Sequence, residues 1–412
     1  MSDPAALGLF GSGRTSFAFH RTRPEFDLYT TVFSSAGIDT GTALLLRYVQ
    51  AASPPTGGRV LDLGCGHGVL GIVLAGLDST RSVTFTDRDA LACSATRHNL
   101  GLNSLVEDRY RIVPSLGWDQ LSSEDQFDLV VANLPGKAGV AVLDDLIAEA
   151  ARRAAPGAIL GLVVVRPLGA EVAAAVAATG AEPLEERTTT AYQVVVARMP
   201  EGGTVAPTDP SGEEATVGAF DRGVYDRAAV EFATGRTRWR ATTVTGVDEF
   251  DSLSLATELL DRVAGRLQAQ PAVVVEPGQG HRALLLGRHG HHVRSLVSRD
   301  LLALRASQRL LASVGPSGPT PPLLQHAVTV ADSTLDTVTM LALHAGDRAH
   351  LPWVRAEIVR HLDRRGRRSL LLTGRASVLG RIEAELLRRR PGRVVEMASR
   401  RNYRALAYQQ GG

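Results

Sequence analysis

Residues 60–72 read Val-Leu-Asp-Leu-Gly-Cys-Gly-His-Gly-Val-Leu-Gly-Ile: a short apolar run, three glycines at alternate positions, then a second apolar run. That order suits a buried strand that turns sharply into a buried helix, because glycine bends tightly and carries no side chain into the turn. A strand feeding a helix must return as a parallel neighbour, so the unit commits the chain to α/β architecture. The flanking sequence agrees. Val60–Leu63, Ser82–Thr86, Tyr110–Val113, Leu129–Ala132, Ile159–Val165 and Gln193–Arg198 are β-rich apolar runs. Between them, Leu91–Leu100, Val140–Ala154 and Gly169–Ala178 carry helical patterns. The expectation is a mostly parallel sheet with helices on both faces.

At 412 residues the chain is too long for one ordinary domain. Glu201–Gly218 is rich in Gly, Pro, Thr and Ser and has no apolar period, so residues 201–218 are expected as a linker between domains 1–200 and 219–412. No apolar run approaches the ~20 residues of a membrane span. Two cysteines, Cys65 and Cys93, make no disulfide framework or structural zinc site. No metal is expected, and the reading is a cytoplasmic protein. Residues 1–200 hold 16 basic and 21 acidic side chains and the remainder 29 and 22, so a net −5 half is joined to a net +7 half. The last 50 residues alone carry 13 arginines against 4 acids. Such asymmetry is either a footprint for a phosphate-rich partner or a solvated arginine-rich surface.

The second half repeats the first loosely. Val60-Leu-Asp-Leu-Gly-Cys-Gly-His67 is echoed by Val275-Glu-Pro-Gly-Gln-Gly-His281, Thr86–Ala92 by Val297–Ala303, and Phe127-Asp-Leu-Val by Leu335-Asp-Thr-Val338. In this pairing Ser298 stands for Asp87, Arg282 for Gly68 and Leu341–Leu343 for Asn133–Pro135. An arginine in the glycine turn would obstruct a cofactor, so the second copy is expected to be a degenerate fold without one.

Three stations of the first copy now belong together. The turn Gly64-x-Gly66-x-Gly68 is followed by Asp87 at the end of the second apolar run, 19 residues past Gly68, and by Asn133-Leu134-Pro135-Gly136 after the fourth. The set resembles an S-adenosylmethionine-dependent methyltransferase of class I. The spacing suits this better than a nicotinamide-binding fold, whose turn is Gly-x-Gly-x-x-Gly. The resemblance implies two tandem Rossmann-like methyltransferase domains and S-adenosyl-L-methionine as cofactor. Gly64, Gly66 and Gly68 would admit the nucleoside, Asp62 would orient the turn or meet the methionine ammonium, and Asp87 would accept both ribose hydroxyls. Arg88 would flank the adenine and Ser115 its far edge.

Methyl transfer needs in-line attack by a lone pair, and the lone pair of an exocyclic base amine is delocalised into the ring. The Asn133 carbonyl and a backbone carbonyl, stiffened by Pro135, could accept both N–H hydrogens and turn that nitrogen tetrahedral; the rest is orientation. Leu134, Gly136 and Lys137 would lie against the acceptor. An Asx turn ending a strand is the competing reading of Asn-x-Pro.

The phrase Val32-Phe33-Ser34…Asp39-x-Gly41-Thr42…Leu44-Leu45 resembles the bacterial guanine-N2 ribosomal RNA methyltransferases, which also carry two fused methyltransferase folds. The resemblance covers residues 17–200 and places Phe33, Asp39, Gly41 and Thr42 beside the cofactor. It implies ribosomal RNA as partner, bound through phosphates by the arginine-rich half. Two departures stand out. The degenerate copy usually comes first in that family, and its substrate loop is Asn-Pro-Pro plus an aromatic residue, where this chain has Gly136. Loss of that stacking surface leaves room for a small-molecule acceptor, with the second domain as lid or dimerisation module. A binding protein without catalysis is a third reading, against which the intact Asp62, glycines and Asp87 stand.

Overall fold

The computed structural model describes residues 4–201, 217–315, 320–346 and 348–411. All of the expected linker except Glu201, Val217 and Gly218 lies outside them. The chain divides into two compact units, Gly11–Tyr225 and Met1–Phe10 with Asp226–Gly412.

After a short helix α1 (Pro4–Gly8), the Gly11–Tyr225 unit opens with an antiparallel hairpin, β1 (Gly11–Ser16) and β2 (Glu25–Tyr29), and helix α2 (Thr40–Ala51). Then come β3 (Arg59–Leu63), α3 (Val69–Leu77), β4 (Ser82–Asp87), α4 (Ala90–Leu102), β5 (Tyr110–Pro114) and β6 (Phe127–Asn133). Helix α5 (Val140–Arg152), β7 (Ala154–Val165), α6 (Gly169–Ala178), β8 (Glu182–Thr188) and β9 (Tyr192–Arg198) complete it. The sheet runs β5-β4-β3-β6-β7-β9-β8, parallel except for β9, which pairs antiparallel with both neighbours. β3 is central because its Val60, Leu61 and Leu63 are apolar and buried on both faces. α3 is apolar almost all round and buried; Gly71 lets it press on β4, for a Cβ there would lie 2.3 Å from the Phe85 ring.

The unit does not end at the expected linker. Asp119 accepts hydrogen bonds from the backbone N–H of Ala219 and Phe220, and Phe220 and Tyr225 are buried. Residues 219–225 therefore belong with the first unit, and the second begins at Asp226.

The second unit holds a hairpin, β10 (Asp226–Thr234) with β11 (Thr237–Val244), then α7 (Leu255–Ala264), β12 (Pro271–Val275), α8 (His281–Arg288), β13 (His292–Ser298) and α9 (Leu301–Ser313). β14 (Leu323–His326), α10 (Asp332–Thr337), β15 (Met340–Ala345), α11 (Leu351–Leu362), β16 (Ser369–Arg375), α12 (Ala376–Glu385), β17 (Gly392–Arg400) and β18 (Tyr403–Gln410) follow. Its sheet order, β14-β13-β12-β15-β16-β18-β17, repeats that of the first. Residues 4–10 join this unit: Phe10 is buried, 6.2 Å between ring centroids from Trp353.

Hydrogen bonds correct the register of the repeat. Gly64 N–H donates to the Thr86 carbonyl, and Glu276 N–H donates to the Val297 carbonyl. Thr96 Oγ1 donates to the Gly66 carbonyl, and Ser307 Oγ to that of Gly278. Glu276, Gly278 and Gly280 thus stand for Gly64, Gly66 and Gly68, two residues from the pairing read in sequence; Arg282 is the second residue of α8, the place of Leu70 in α3. By strand pairing, Val274 stands for Asp62 and His344, not Leu341–Leu343, for Asn133. The residue that departs from the glycine turn is therefore Glu276, in the place of Gly64. It adopts φ +52°, and its carboxylate accepts from Ser298 Oγ at 2.6 Å and Arg299 N–H at 3.1 Å, spanning the turn and the next strand end.

Candidate active site

The glycine turn is built on the carbonyl of Thr86, which accepts from both Gly64 and Cys65 N–H at 2.9 Å. Gly64, Gly66 and Gly68 have φ of +74°, +56° and +81°, where a side chain would be strained. A Cβ on Gly64 would meet nothing within 4 Å, and one on Gly66 only Val32 Cγ1 at 3.9 Å, so these two border open space. Gly68 differs: its Cβ would lie 3.0 Å from Thr96 Cγ2, so its smallness serves the packing of α4 on the turn.

Two carboxylates frame the turn. Asp62 is buried; its Oδ2 accepts the Gly71 N–H at 2.8 Å, which ties β3 to the first turn of α3. Its Oδ1 is buried with no partner among the described residues. Burial pushes the group up to about 8. Asp87 Oδ2 accepts the Gly66 N–H at 3.0 Å and Oδ1 the Asp89 N–H at 2.9 Å, which hold it at the end of β4 beside the turn. Arg88 follows, half-buried. A glycine cradle with room above it, an anchored carboxylate at the next strand end and an orphaned carboxyl oxygen fit a nucleoside bearing an amino acid. Ser115 fits less well than its sequence position suggests. It is buried, its hydroxyl donates to the Gly117 carbonyl at 2.8 Å and accepts from Gln120 N–H, and only its backbone can border a ligand.

His67, inside the glycine turn, is structural. It is buried, its Nε2 accepts the Tyr29 N–H at 3.0 Å, and Asn99 Nδ2 donates to its carbonyl. Burial drives the ring down to about 4, outweighing a hydrogen bond to the Phe33 backbone, so it stays neutral. Through it the segment after β2 is fastened to the glycine turn. Thr31 and Ser34 there take φ of +72° and +60°, and Phe33 between them is 63% exposed. An exposed aromatic on a strained loop is a candidate contact for a ligand.

Asn133 ends β6 inside a polar cluster. Its Nδ2 donates to Asp39 Oδ2 at 2.9 Å and to Thr42 Oγ1 at 3.0 Å. Asp39 caps α2 by accepting the Thr42 N–H at 3.0 Å, and its Oδ1 accepts the Tyr192 hydroxyl at 2.7 Å. Gly41 makes this approach feasible, since a Cβ there would lie 2.8 Å from both Asp39 Oδ2 and two Tyr192 ring carbons. Both hydrogens of the Asn133 amide being used, its Oδ1 is the atom left to face an acceptor. The Thr42 hydroxyl, expected beside the cofactor, accepts from Asn133. In the following loop Leu134 is 4% exposed, so its side chain belongs to the core and only its backbone can touch an acceptor. Pro135, Gly136 and Lys137 are exposed. A Cβ on Gly136 would lie 2.9 Å from Val165 Cγ2, so Val165 occupies the space a larger residue would need. Asp39, placed by the resemblance beside the cofactor, is found on Asn133, whereas Tyr192 had no signal in the sequence.

Residues 25–194 match the methyltransferase small domain family. The matched span starts at β2 and ends in β9, and so includes every element just described. The ribosomal RNA small subunit methyltransferase C of Actinobacillus pleuropneumoniae serotype 3 is 38% identical over 136 residues, 32% of this chain and 40% of that protein. The ribosomal RNA large subunit methyltransferase G of Shewanella amazonensis is 34% identical over 160 residues, 35% of this chain and 39% of that protein. The match thus spans about 40% of the length of these relatives. Across nearly the whole chain the fold is that of a T. thermophilus 16S rRNA N2 G1207 methyltransferase, solved with AdoMet and guanosine. The two superpose with a TM-score of 0.64 at 17% identity, over 97% of this chain and 98% of that one. Both units are Rossmann-like class I methyltransferase folds. No helix among the described residues is long and apolar enough to cross a membrane.

Proposed function

We propose that the protein transfers a methyl group from S-adenosyl-L-methionine to a base nitrogen of ribosomal RNA, guanine N2 being favoured. The observation that carries this reading is the Asn133 carboxamide, whose nitrogen is consumed by Asp39 and Thr42 and whose carbonyl is left to accept a hydrogen from an amine. When bound, the cofactor supplies an electrophilic methyl on a sulfonium. Gly64 and Gly66 admit its nucleoside, Asp87 accepts its ribose hydroxyls, Asp62 meets its ammonium end, and Phe33 and Arg88 flank it. Asn133 Oδ1 and the Leu134 carbonyl draw the amine hydrogens out of the base plane, which turns the nitrogen lone pair toward the methyl. Pro135 keeps that loop stiff, and Gly136 and Lys137 border the incoming nucleotide. No strong base is needed, because the methylated ammonium is itself acidic.

The named activities of the ribosomal RNA relatives support RNA as the acceptor, and so does the basic second unit. Several of its arginines are already paired: Arg390 with Asp363, Arg400 with Glu258 and Arg404 with Glu383. Arg389, Arg393 and Arg401 are exposed and make no ion pair among the described residues, so they are the better phosphate contacts. Gly136 in place of an aromatic residue favours the second reading, a small-molecule acceptor.

The test is transfer of radiolabelled methyl to ribosomal RNA, transfer RNA and a small-metabolite extract, followed by nucleoside analysis. Label in N2-methylguanosine, reduced on the order of 10² in Asn133→Ala, is expected. Label confined to the metabolite fraction transfers the lead to the second reading.

A further inference from the structure

Asn133 could present its amide either way round, and only one way helps an amine acceptor. Asp39 decides which. A carboxylate only accepts hydrogen bonds, so the Asn133 group 2.9 Å from Asp39 Oδ2 must be the NH2. The opposite orientation would set a carbonyl oxygen against a carboxylate oxygen; the Thr42 hydroxyl, which can donate as well as accept, bonds the amide either way and so does not decide. Asp39 itself is held at both oxygens, Oδ2 by the Thr42 N–H and Oδ1 by the Tyr192 hydroxyl. Its charge lies at the N-terminus of α2, where the helix dipole favours an anion. The bond also raises the Tyr192 hydroxyl above its ordinary range, so it remains a donor.

The second unit supplies an internal comparison. Ser254 caps α7 by accepting the Thr257 N–H, as Asp39 caps α2, and Tyr403 pairs with Arg375 as Tyr192 pairs with Val165. Threonine and tyrosine are thus kept at both places. What has changed is the matched pair: Asp39 is replaced by Ser254 and Asn133 by His344. A carboxylate needed only to cap a helix had no reason to disappear with the asparagine.

We propose that Asp39, Thr42 and Tyr192 form a positioning brace that locks the Asn133 carboxamide with its oxygen outward, and that the lock selects acceptors bringing N–H hydrogens. The selection rests on the methyltransferase reading above; the lock does not. It is tested on the full chain with two readouts. The first is hydrogen exchange of the Asn133 side-chain amide by NMR after asparagine-selective 15N labelling, which needs no acceptor. The wild-type amide should exchange at least tenfold more slowly than exposed asparagines, and Thr42→Val, which keeps the Asp39 cap, should release it. The second is methyl transfer to extracted ribosomal RNA. Thr42→Val and Tyr192→Phe should lower kcat about tenfold, with KM for RNA and cofactor affinity changed less than twofold, and Thr42→Ser should restore the rate. Unprotected wild-type amide hydrogens, or full kcat in Thr42→Val, would overturn the brace. Protected hydrogens with no transfer to RNA would leave the brace standing and remove the acceptor reading.

Discussion

Asp62 shows how much one residue's setting can differ from its place in a motif. In sequence it is an acidic letter before a glycine turn; in the fold it is a carboxyl removed from water, with one oxygen tied to Gly71 and the other orphaned. Its value of about 8 lies above the ~4 of an unfolded aspartate. Folded protein therefore keeps a proton that the unfolded chain releases, so this contribution is fully present below about pH 4 and is lost as pH rises through 8. Asp62→Asn keeps a neutral acceptor for Gly71. Its melting temperature should fall less between pH 5 and 8 than that of the wild type; parallel profiles would show that Asp62 ionises freely in the fold. The glycines and Asp87 were legible because their chemistry is local: a positive φ and a strand end. The role of His67 was not legible, because its ring is spent on Tyr29, 38 residues away, a bond that leaves no local trace.

At the scale of elements, strands β3 to β7 and β9 and helices α4, α5 and α6 were legible in the sequence. The edge strand β8 was not, because Glu182–Thr188 is polar and mostly exposed and has no apolar alternation to read. Helix α5 ends at Arg152, two residues before the expected limit, where the chain enters β7. Gly71 gives this scale its prediction. Helix propensity alone favours Gly71→Ala by up to ~1 kcal/mol. Contact with Phe85 and Val83 opposes it, since a Cβ would lie 2.3 Å and 2.9 Å from their atoms, and overpacking costs about 1–3 kcal/mol. Packing wins, and denaturant unfolding should show Gly71→Ala destabilised; a stabilised variant would mean that α3 can lift off β4 at little cost.

For the whole molecule, the duplication was legible and its register was not. Two glycine-rich turns aligned by letters differ by two residues from the same turns aligned by hydrogen bonds, because a Gly-x-Gly repeat matches itself when slid by two. Nor could sequence show that residues 1–10 serve the distant half. Burial of Ala6, Leu7 and Phe10 there should contribute about 2–5 kcal/mol to the second unit. Deleting residues 1–10 should lower the melting of that unit and leave cofactor affinity of the first unchanged by calorimetry. Unaltered melting would show that the contact adds nothing.

Alone, the sequence determined the α/β class, the duplication, the glycine turn and the carboxylate after it. These depend on periodicity and on backbone angles that a few neighbouring residues set. Tertiary structure alone decided the domain boundaries, the residue that departs from the glycine turn in the second copy, and which way Asn133 faces. Each of these depends on atoms brought together across the sheet, Tyr192 on Asp39 and Asp39 on Asn133, where hydrogen-bond polarity has no counterpart in sequence spacing.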